Sequence, residues 1–298
     1  MSNNSTCQGL PRAVYITGYS IIMTFGLVLN ITAVWFFTRL KTVRSPTFVY
    51  MKNLAFVDLL LVCTLPLIIY DHASPPLTDF TRIHTLCTIS VTFLLLNMYG
   101  SIFLLACISL DRCLAVCFPI RSQRFRRFAP WMCAGVWILN IGACATFYIR
   151  GISNTNECFP DHPRVVSKMA PTTASLLMGF LLPLVIMAVS SCSLLRAVGK
   201  SQSAREGMVN RDKIVRMLTV NLAIFLFCFL PYHTVLLSYQ IWEPNCTLRE
   251  AYRIALLMAC SNTVLDPMAY YFAAETMQRE MAKEKVKLVM GSGGSMEK

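Results

Sequence analysis

Charge is scarce in this sequence, and acidic charge most of all. Only 14% of the 298 residues are charged, and Asp and Glu number 15 against 27 Lys and Arg. With 55% apolar residues and a mean hydropathy of +0.55, the chain is too hydrophobic for an ordinary soluble domain, so a polytopic membrane protein is expected. The marks of an enzyme or a carrier are also missing. No nucleophile constellation, metal-ligand spacing or Gly-rich phosphate loop occurs, and there is no internal repeat of the kind that builds transporters. A cleavable leader is not evident either: Met1 to Gln8 is polar, and the first apolar run is long enough to be a span, which is expected to serve as signal-anchor.

What charge there is follows a pattern. The formal net charge of +12 could suggest nucleic acid, but its distribution argues for membrane topology instead. Twenty of the 27 basic residues fall in segments read as internal: Arg39 to Lys52, Arg112, Arg121 to Arg127, Arg196 to Arg216, and Arg279 to Lys298. The other seven are Arg12, Arg82, Arg150, Arg164, Lys168, Arg249 and Arg253. This bias places the N-terminus outside and the C-terminus inside. Glycosylation sequons at Asn3 and Asn4 agree. Most of the 13 cysteines, Cys63, Cys107, Cys133, Cys144, Cys192, Cys228 and Cys260 among them, lie in apolar runs as small hydrophobes. Four fall on the expected outside: Cys7, Cys87, Cys158 and Cys246.

The longest organising stretch runs from Cys87 to Pro119, an apolar helix of roughly 45 to 50 Å that ends near Asp111-Arg112. Charge alone leaves Arg112 equally readable as a helix-end residue that snorkels. Around this stretch the sequence predicts spans at Ala13–Thr38, Pro46–Tyr70, Ala129–Ile149, Met169–Val198, Asn210–Ile241 and Leu248–Phe272. The outer segments are Asp71–Ile83 and Arg150–Lys168, and Arg121–Arg127 is expected as a basic inner loop. Asn30 reads as inter-helix glue and Trp137 as packing. Asp58 lies near mid-membrane and needs a partner, because a lone carboxylate there is expensive. The expected organisation is an N-terminal segment 1–12, a seven-helix domain 13–272, a short amphipathic helix 273–289 on the inner membrane face, and a tail 290–298 of flexible-linker composition.

Seven spans alone would still admit a transporter or channel. The order of motifs narrows the field. Asn30, Asp58, Asp111-Arg112, Trp137, Pro183, Phe229-x-Pro231 and Asp266-Pro-x-x-Tyr270 occur one per helix, and in this order the chain resembles class A, rhodopsin-like G-protein-coupled receptors over nearly its whole length. The departures are Cys113 for the usual aromatic after Asp-Arg, Phe229 for the more usual Trp, Ser191 for a common Tyr, Asp266 for Asn, and Arg211 where an acidic partner for Arg112 often stands. Within the class, Asn97-Met98-Tyr99-Gly100-Ser101, Cys228-Phe229-Leu230-Pro231-Tyr232, Leu265-Asp266-Pro267 and the second outer cysteine pair resemble the branch of lysophospholipid and nucleotide receptors.

The resemblance implies roles. Asp58, Asn97, Ser101, Asn262 and Asp266 match a polar cluster that holds a sodium ion in the inactive state, and oxygen donors with two carboxylates suit a hard cation. A water-filled network without a held ion is the alternative. Arg112 would part from Asp111 on activation, Tyr270 would swing inward, and Phe229 above Pro231 would be the switch aromatic. Disulfides Cys87–Cys158 and Cys7–Cys246 are implied. No other cofactor is expected.

For the ligand, Arg249 and Arg253 lie four apart on one helix face and can converge on an anion, with Arg82, Arg150, Arg164 and Lys168 also outside. Leu94, Leu95, Met98, Tyr99, Tyr232 and His233 would form a deeper, mostly apolar wall. A basic mouth over an apolar slot suits a single-chain phospholipid, whose chain gains about 0.8 kcal/mol per buried CH₂. A nucleotide or aromatic carboxylate is the competing ligand class. The partners implied are an anionic lipid or small-molecule agonist, a heterotrimeric G protein of the Gα12/13 class, with inhibitory or Gq-type coupling as the alternatives, arrestin and membrane lipids, at the plasma membrane, with no nucleic acid.

Overall fold

The computed structural model describes residues 9–39, 46–73, 80–151, 169–200 and 205–267. Among these residues the structure is helical, with no strand. The helices are α1 (Arg12–Arg39), α2 (Pro46–Ala73), α3 (Phe80–Cys117), α4 (Pro119–Arg126), α5 (Ala129–Gly151), α6 (Met169–Ala174), α7 (Leu182–Lys200), α8 (Arg205–Ile241) and α9 (Cys246–Cys260). A π-helical stretch, Ser175–Leu181, joins α6 to α7 into one continuous span. Six described helices are long and apolar enough to cross a membrane. The seventh is α9, which turns at Ser261 and resumes as helix over 262–267. The bundle is thus the expected all-α seven-helix membrane architecture.

The helices are apolar on more than one face because lipid is their solvent on the outside. In hydrocarbon every backbone group must bond within the helix, and apolar side chains can face outward at no cost. α1 accordingly exposes Ile21, Phe25, Val28, Ile31 and Trp35. Only 17% of its most apolar window is buried, against 67% for α3, which makes α3 the central helix. It touches α2, α5, α7, α8 and α9, while α1 closes the ring between α2 and α9. At that closure a Cβ on Gly26 would lie 3.0 Å from Val62 and 3.2 Å from Thr263. The missing side chain lets Asn30 Nδ2 donate to the Thr263 carbonyl at 2.7 Å, the inter-helix role expected of it.

Pro66 and Pro231 lie inside α2 and α8, which continue through them. Pro183 has a different effect. Its ring would clash with the Gly179 carbonyl in a regular α-helix, and the turn before it is π-helical, with Leu182 N–H bonding back to the Leu177 carbonyl.

Several boundaries differ from expectation. Asp71 to Ala73 complete the last turn of α2, and α3 starts at Phe80, so the outer loop expected at Asp71–Ile83 is much shorter. The basic inner loop is largely the helix α4, begun by Pro119 at its first position, where the missing N–H costs nothing. The span expected from Asn210 begins at Arg205. α9 is capped by Asn245, whose side chain accepts from Leu248 N–H at 2.8 Å. The amphipathic helix expected over 273–289, the segment 1–8 and the tail lie outside the described residues.

Candidate functional site

Three stations line the bundle axis: a mouth at the end bearing Arg12 and Arg253, a polar cluster at mid-depth, and a base at the end bearing Asp111 and Arg126.

At the mouth, α1, α2 and α9 enclose a cleft of about 160 Å³ lined by Leu10, Arg12, Tyr15, Tyr19, Asp71, His72, Tyr252, Arg253 and Leu256. His72 Nδ1 donates to the Ile68 carbonyl at 2.9 Å, and its ring lies between Tyr15 and Tyr19 at 5.6 and 5.7 Å. Glu250 ties the edge together. Its Oε1 accepts from Tyr15 Oη at 2.5 Å and from Leu10 N–H at 2.7 Å, and its Oε2 lies 3.7 Å from an Arg253 nitrogen. The expected convergence of Arg249 and Arg253 on an anion is therefore modified. Arg253 faces the cleft with Arg12 and shares the Glu250 carboxylate, whereas an Arg249 nitrogen lies 3.7 Å from Cys246 Sγ.

Below the mouth, the expected deep wall does come together. Leu94, Leu95, Met98, Tyr232 and His233 are buried, and Tyr99 is half-buried. His233 touches Tyr232 edge-on at 5.2 Å and Tyr99 at 6.0 Å. Its Nδ1 donates to the Phe229 carbonyl at 2.8 Å, leaving the buried Nε2 as an acceptor without a partner. Two members of this wall had no place in the sequence reading. Phe180, turned inward by the π-helical stretch, stacks on His233 at 4.3 Å and 17°. Ser175, in the same stretch, bonds Tyr99 Oη. A Cβ on Gly179 would come within 2.7 Å of the Tyr99 ring, so that position must stay bare. From Phe180 the aromatic column continues to Phe225 at 5.4 Å and on to Phe229 at 5.6 Å. Phe229 is fully buried two residues before Pro231.

At mid-depth, Asp58, Asn97, Ser101, Asn262 and Asp266 are all buried. Asn97 Nδ2 donates to Asp58 Oδ1 at 2.9 Å, and Asn262 Nδ2 lies 3.4 Å from Asp266 Oδ2. Four oxygens are left without a hydrogen-bond partner: Asp58 Oδ2, Ser101 Oγ, Asn262 Oδ1 and Asp266 Oδ1. Buried unpaired oxygens are costly, and this all-oxygen donor set fits a hard cation. The donors are all oxygens, with no thiolate or imidazole among the five residues, so the set does not suit a softer metal. Apart from these stations, Trp137 is more than packing: its Nε1 donates to Asn53 Oδ1 at 2.9 Å.

At the base the expected pair is rearranged. Asp111 is not bonded to Arg112. Its carboxylate takes Arg126 Nε at 2.8 Å and Thr47 Oγ1 at 2.5 Å, while the buried Nε and Nη2 of Arg112 have no hydrogen-bond partner. Adjacent helical residues point about 100° apart, so Asp111 turns to α2 and α4 rather than to its neighbour.

Some expected site residues lie outside the described residues. These are Asn3, Asn4, Cys7, Cys158, Arg164, Lys168 and Tyr270, together with the side chains of Arg82, Cys87, Arg150 and Arg211. Cys246 is disulfide-bonded, and Cys7, expected to partner it, is among them.

Comparison with known proteins turns this geometry into a family assignment. Residues 29–270 match the family described as 7 transmembrane receptor (rhodopsin family). The chain belongs to the rhodopsin family of seven-transmembrane receptors. It is a multi-pass membrane receptor and not an enzyme, with a small-molecule or lipid ligand and a G protein as its partners. The receptor is 34% identical to lysophosphatidic acid receptor 6 of Gallus gallus, over 96% of this chain and 98% of that one. It is 35% identical to lysophosphatidic acid receptor 4 of Homo sapiens, over 88% and 74% of the two chains. It is 31% identical to G-protein coupled receptor 68 of Homo sapiens, over 93% and 76%.

Proposed function

We propose that this receptor sits in the plasma membrane with its mouth outside, binds an anionic lysophospholipid of the lysophosphatidic acid or lysophosphatidylinositol type, and activates a heterotrimeric G protein of the Gα12/13 class. The observation that carries the reading is the mouth cleft, where Arg12 and Arg253 face the same space above a buried apolar and aromatic wall. At about 160 Å³ the cleft suits a phosphate head group. It is too small for a whole drug-sized ligand, which needs roughly 300 Å³ or more. The relatives named as lysophosphatidic acid receptors support the same ligand class.

The charge bias supports the orientation, with the base and its basic residues inside. Ligand in the wall would press on the column from His233 through Phe180 and Phe225 to Phe229, beside the mid-depth cluster. Asp58 and Asp266, with Asn97, Ser101 and Asn262, would hold a sodium ion there. Its charge would stabilise the two carboxylates in the resting arrangement. Arg112, already unbonded to Asp111, would be available to the G protein, and arrestin is a further expected partner at this face.

A second reading rests on Tyr15, Tyr19 and Tyr252 in the same cleft, which would stack on a nucleotide base or an aromatic carboxylate. Dose-dependent G-protein activation separates the two. Cells expressing wild type or Arg253→Ala, at equal surface expression, are challenged with both lysophospholipids, nucleotides and carboxylate metabolites. The expected result is a lysophospholipid response weakened about tenfold or more in the variant, as for a lost charge-assisted hydrogen bond. A response confined to nucleotides or carboxylates would overturn the lipid assignment.

A further inference from the structure

The mouth that gathers Arg12 and Arg253 is not basic in sum. Asp71 lines the same cleft, and Glu250 stands at its edge, 3.7 Å from an Arg253 nitrogen. Two guanidinium groups thus meet two carboxylates, and with His72 counted as neutral the formal charges of these described residues cancel. Arg249 does not tip the balance, because it reaches Cys246 Sγ and is not among the lining residues.

Glu250 is fixed in this position. Leu10 N–H and Tyr15 Oη both donate to its Oε1, at 2.7 and 2.5 Å, so one carboxylate on α9 holds α1 and the chain just ahead of it. Leu10 and Tyr15 in turn line the cleft, and Leu10 lies two residues before Arg12. A Cβ on Gly9 would push Oε2 aside, so the chain can lie this close because the residue there is bare. The Glu250 side chain is 18% exposed against 44% for Arg253. The acid is the more sheltered partner, and its field is the less screened by water and salt. It cannot swing away from an arriving anion without giving up both hydrogen bonds.

A balanced mouth sorts anions by charge. The free energy of taking an ion out of water rises with the square of its charge, so a dianion needs about four times the compensation of a monoanion. A phosphomonoester carries close to two negative charges at neutral pH, its second pKa being about 6. A phosphodiester carries one. That one charge can be met at short range by Arg253 and Arg12. A second charge meets the fields of Glu250 and Asp71, with no further cation lining the cleft among the described residues.

We propose that the mouth selects lysophospholipids whose phosphate is a diester, and that Glu250 sets this selectivity. The inference rests on the lysophospholipid reading of the mouth and narrows it. Of the two head-group types named there, lysophosphatidylinositol is a phosphodiester and is favoured over lysophosphatidic acid, a phosphomonoester. Glu250 is not among the lining residues. It acts as a positioning residue, holding Leu10 and Tyr15 and opposing part of the Arg253 charge.

The test uses purified full-length receptor in phosphatidylcholine nanodiscs and three ligands with the same oleoyl chain: lysophosphatidic acid, its phosphate methyl ester and lysophosphatidylinositol. Ligand-dependent thermal stabilisation at neutral pH gives the half-saturating concentration of each. Wild type is expected to bind the two diesters about fivefold or more tightly than the monoester. E250Q keeps an oxygen for Leu10 N–H and Tyr15 Oη and removes the charge. In it, affinity is expected to rise about fivefold for the diesters and about twentyfold for the monoester, in line with their charges. Comparing variant with wild type for each ligand cancels that ligand's partitioning into the bilayer. A merely structural role would move all three ligands by one factor, and that result would overturn the proposal. So would a wild type that binds the monoester as tightly as its methyl ester, a measurement that covers the case of a variant that does not fold. Both results leave the lysophospholipid reading standing, whereas binding of none of the three ligands would remove that reading and the selectivity with it.

Discussion

Three buried aspartates stand in two settings, and the contrast separates a latch from a receptacle. At the base, both oxygens of Asp111 are engaged, by Arg126 from α4 and Thr47 from α2. At mid-depth, Asp58 and Asp266 each use one oxygen on a neighbouring amide and leave the other unpaired. A carboxylate satisfied by fixed side chains holds elements together and gains nothing from a visitor. One left half-satisfied in the membrane interior creates a demand that only water, a proton or a cation can meet. The receptor thus has one station built to hold its shape and another built to be filled.

Breaking the latch should have the largest effect. Arg126→Ala removes the cation from Asp111 and is expected to destabilise the resting receptor by about 2 to 3 kcal/mol, at the low end for a buried pair because Arg126 is partly exposed. The readouts are thermal unfolding in nanodiscs and agonist-independent nucleotide exchange, which should rise. Arg126→Lys should restore part of both. If basal exchange is unchanged while stability falls, Arg126 holds shape without holding the inactive state. Thr47→Val keeps the shape and removes only the hydroxyl donor, with an expected loss of about 1.5 kcal/mol in the same unfolding assay.

The receptacle should respond to ions rather than to stability. Replacing sodium by choline at constant ionic strength should raise agonist affinity in wild type by about fivefold, a modest allosteric coupling. In Asp58→Asn the sodium-specific change should vanish. A variant as sensitive as wild type would place the ion elsewhere. The smallest effect is expected from Trp137→Phe, away from both stations. It loses one hydrogen bond to Asn53, about 0.6 kcal/mol within a membrane, and should leave sodium sensitivity and basal exchange as they were.

The sequence made the helices legible because each span is a long apolar run; of the receptacle the residues alone marked Asp58, a carboxylate in an apolar span, while the grouping with Asn97, Ser101, Asn262 and Asp266 came from the resemblance to class A receptors. The latch was harder. Asp111-Arg112 stands adjacent in the sequence and invites pairing, yet neighbours on a helix diverge, and Ser122 and Arg126 at four-residue spacing after Pro119 were the available sign of a helix folding back. Glu250 was missed for a related reason: attention to Arg249 and Arg253 passed over the acid three residues from Arg253. Phe180 and Ser175 could not be read by ordinary helical periodicity, because they lie in a segment that does not obey it.

That π-helical segment has a consequence for anyone counting residues along the span from Met169 to Lys200. A π turn carries an extra residue, so a register laid out at 3.6 per turn from Pro183 is off by about 100° by the time it reaches Ser175. Against a span that is α-helical throughout, positions matched from the far side of the stretch and from the near side will disagree by one unless a single gap is placed within 175–181. Any numbering of α6 against other receptors should be anchored on Tyr99, whose hydroxyl bonds Ser175.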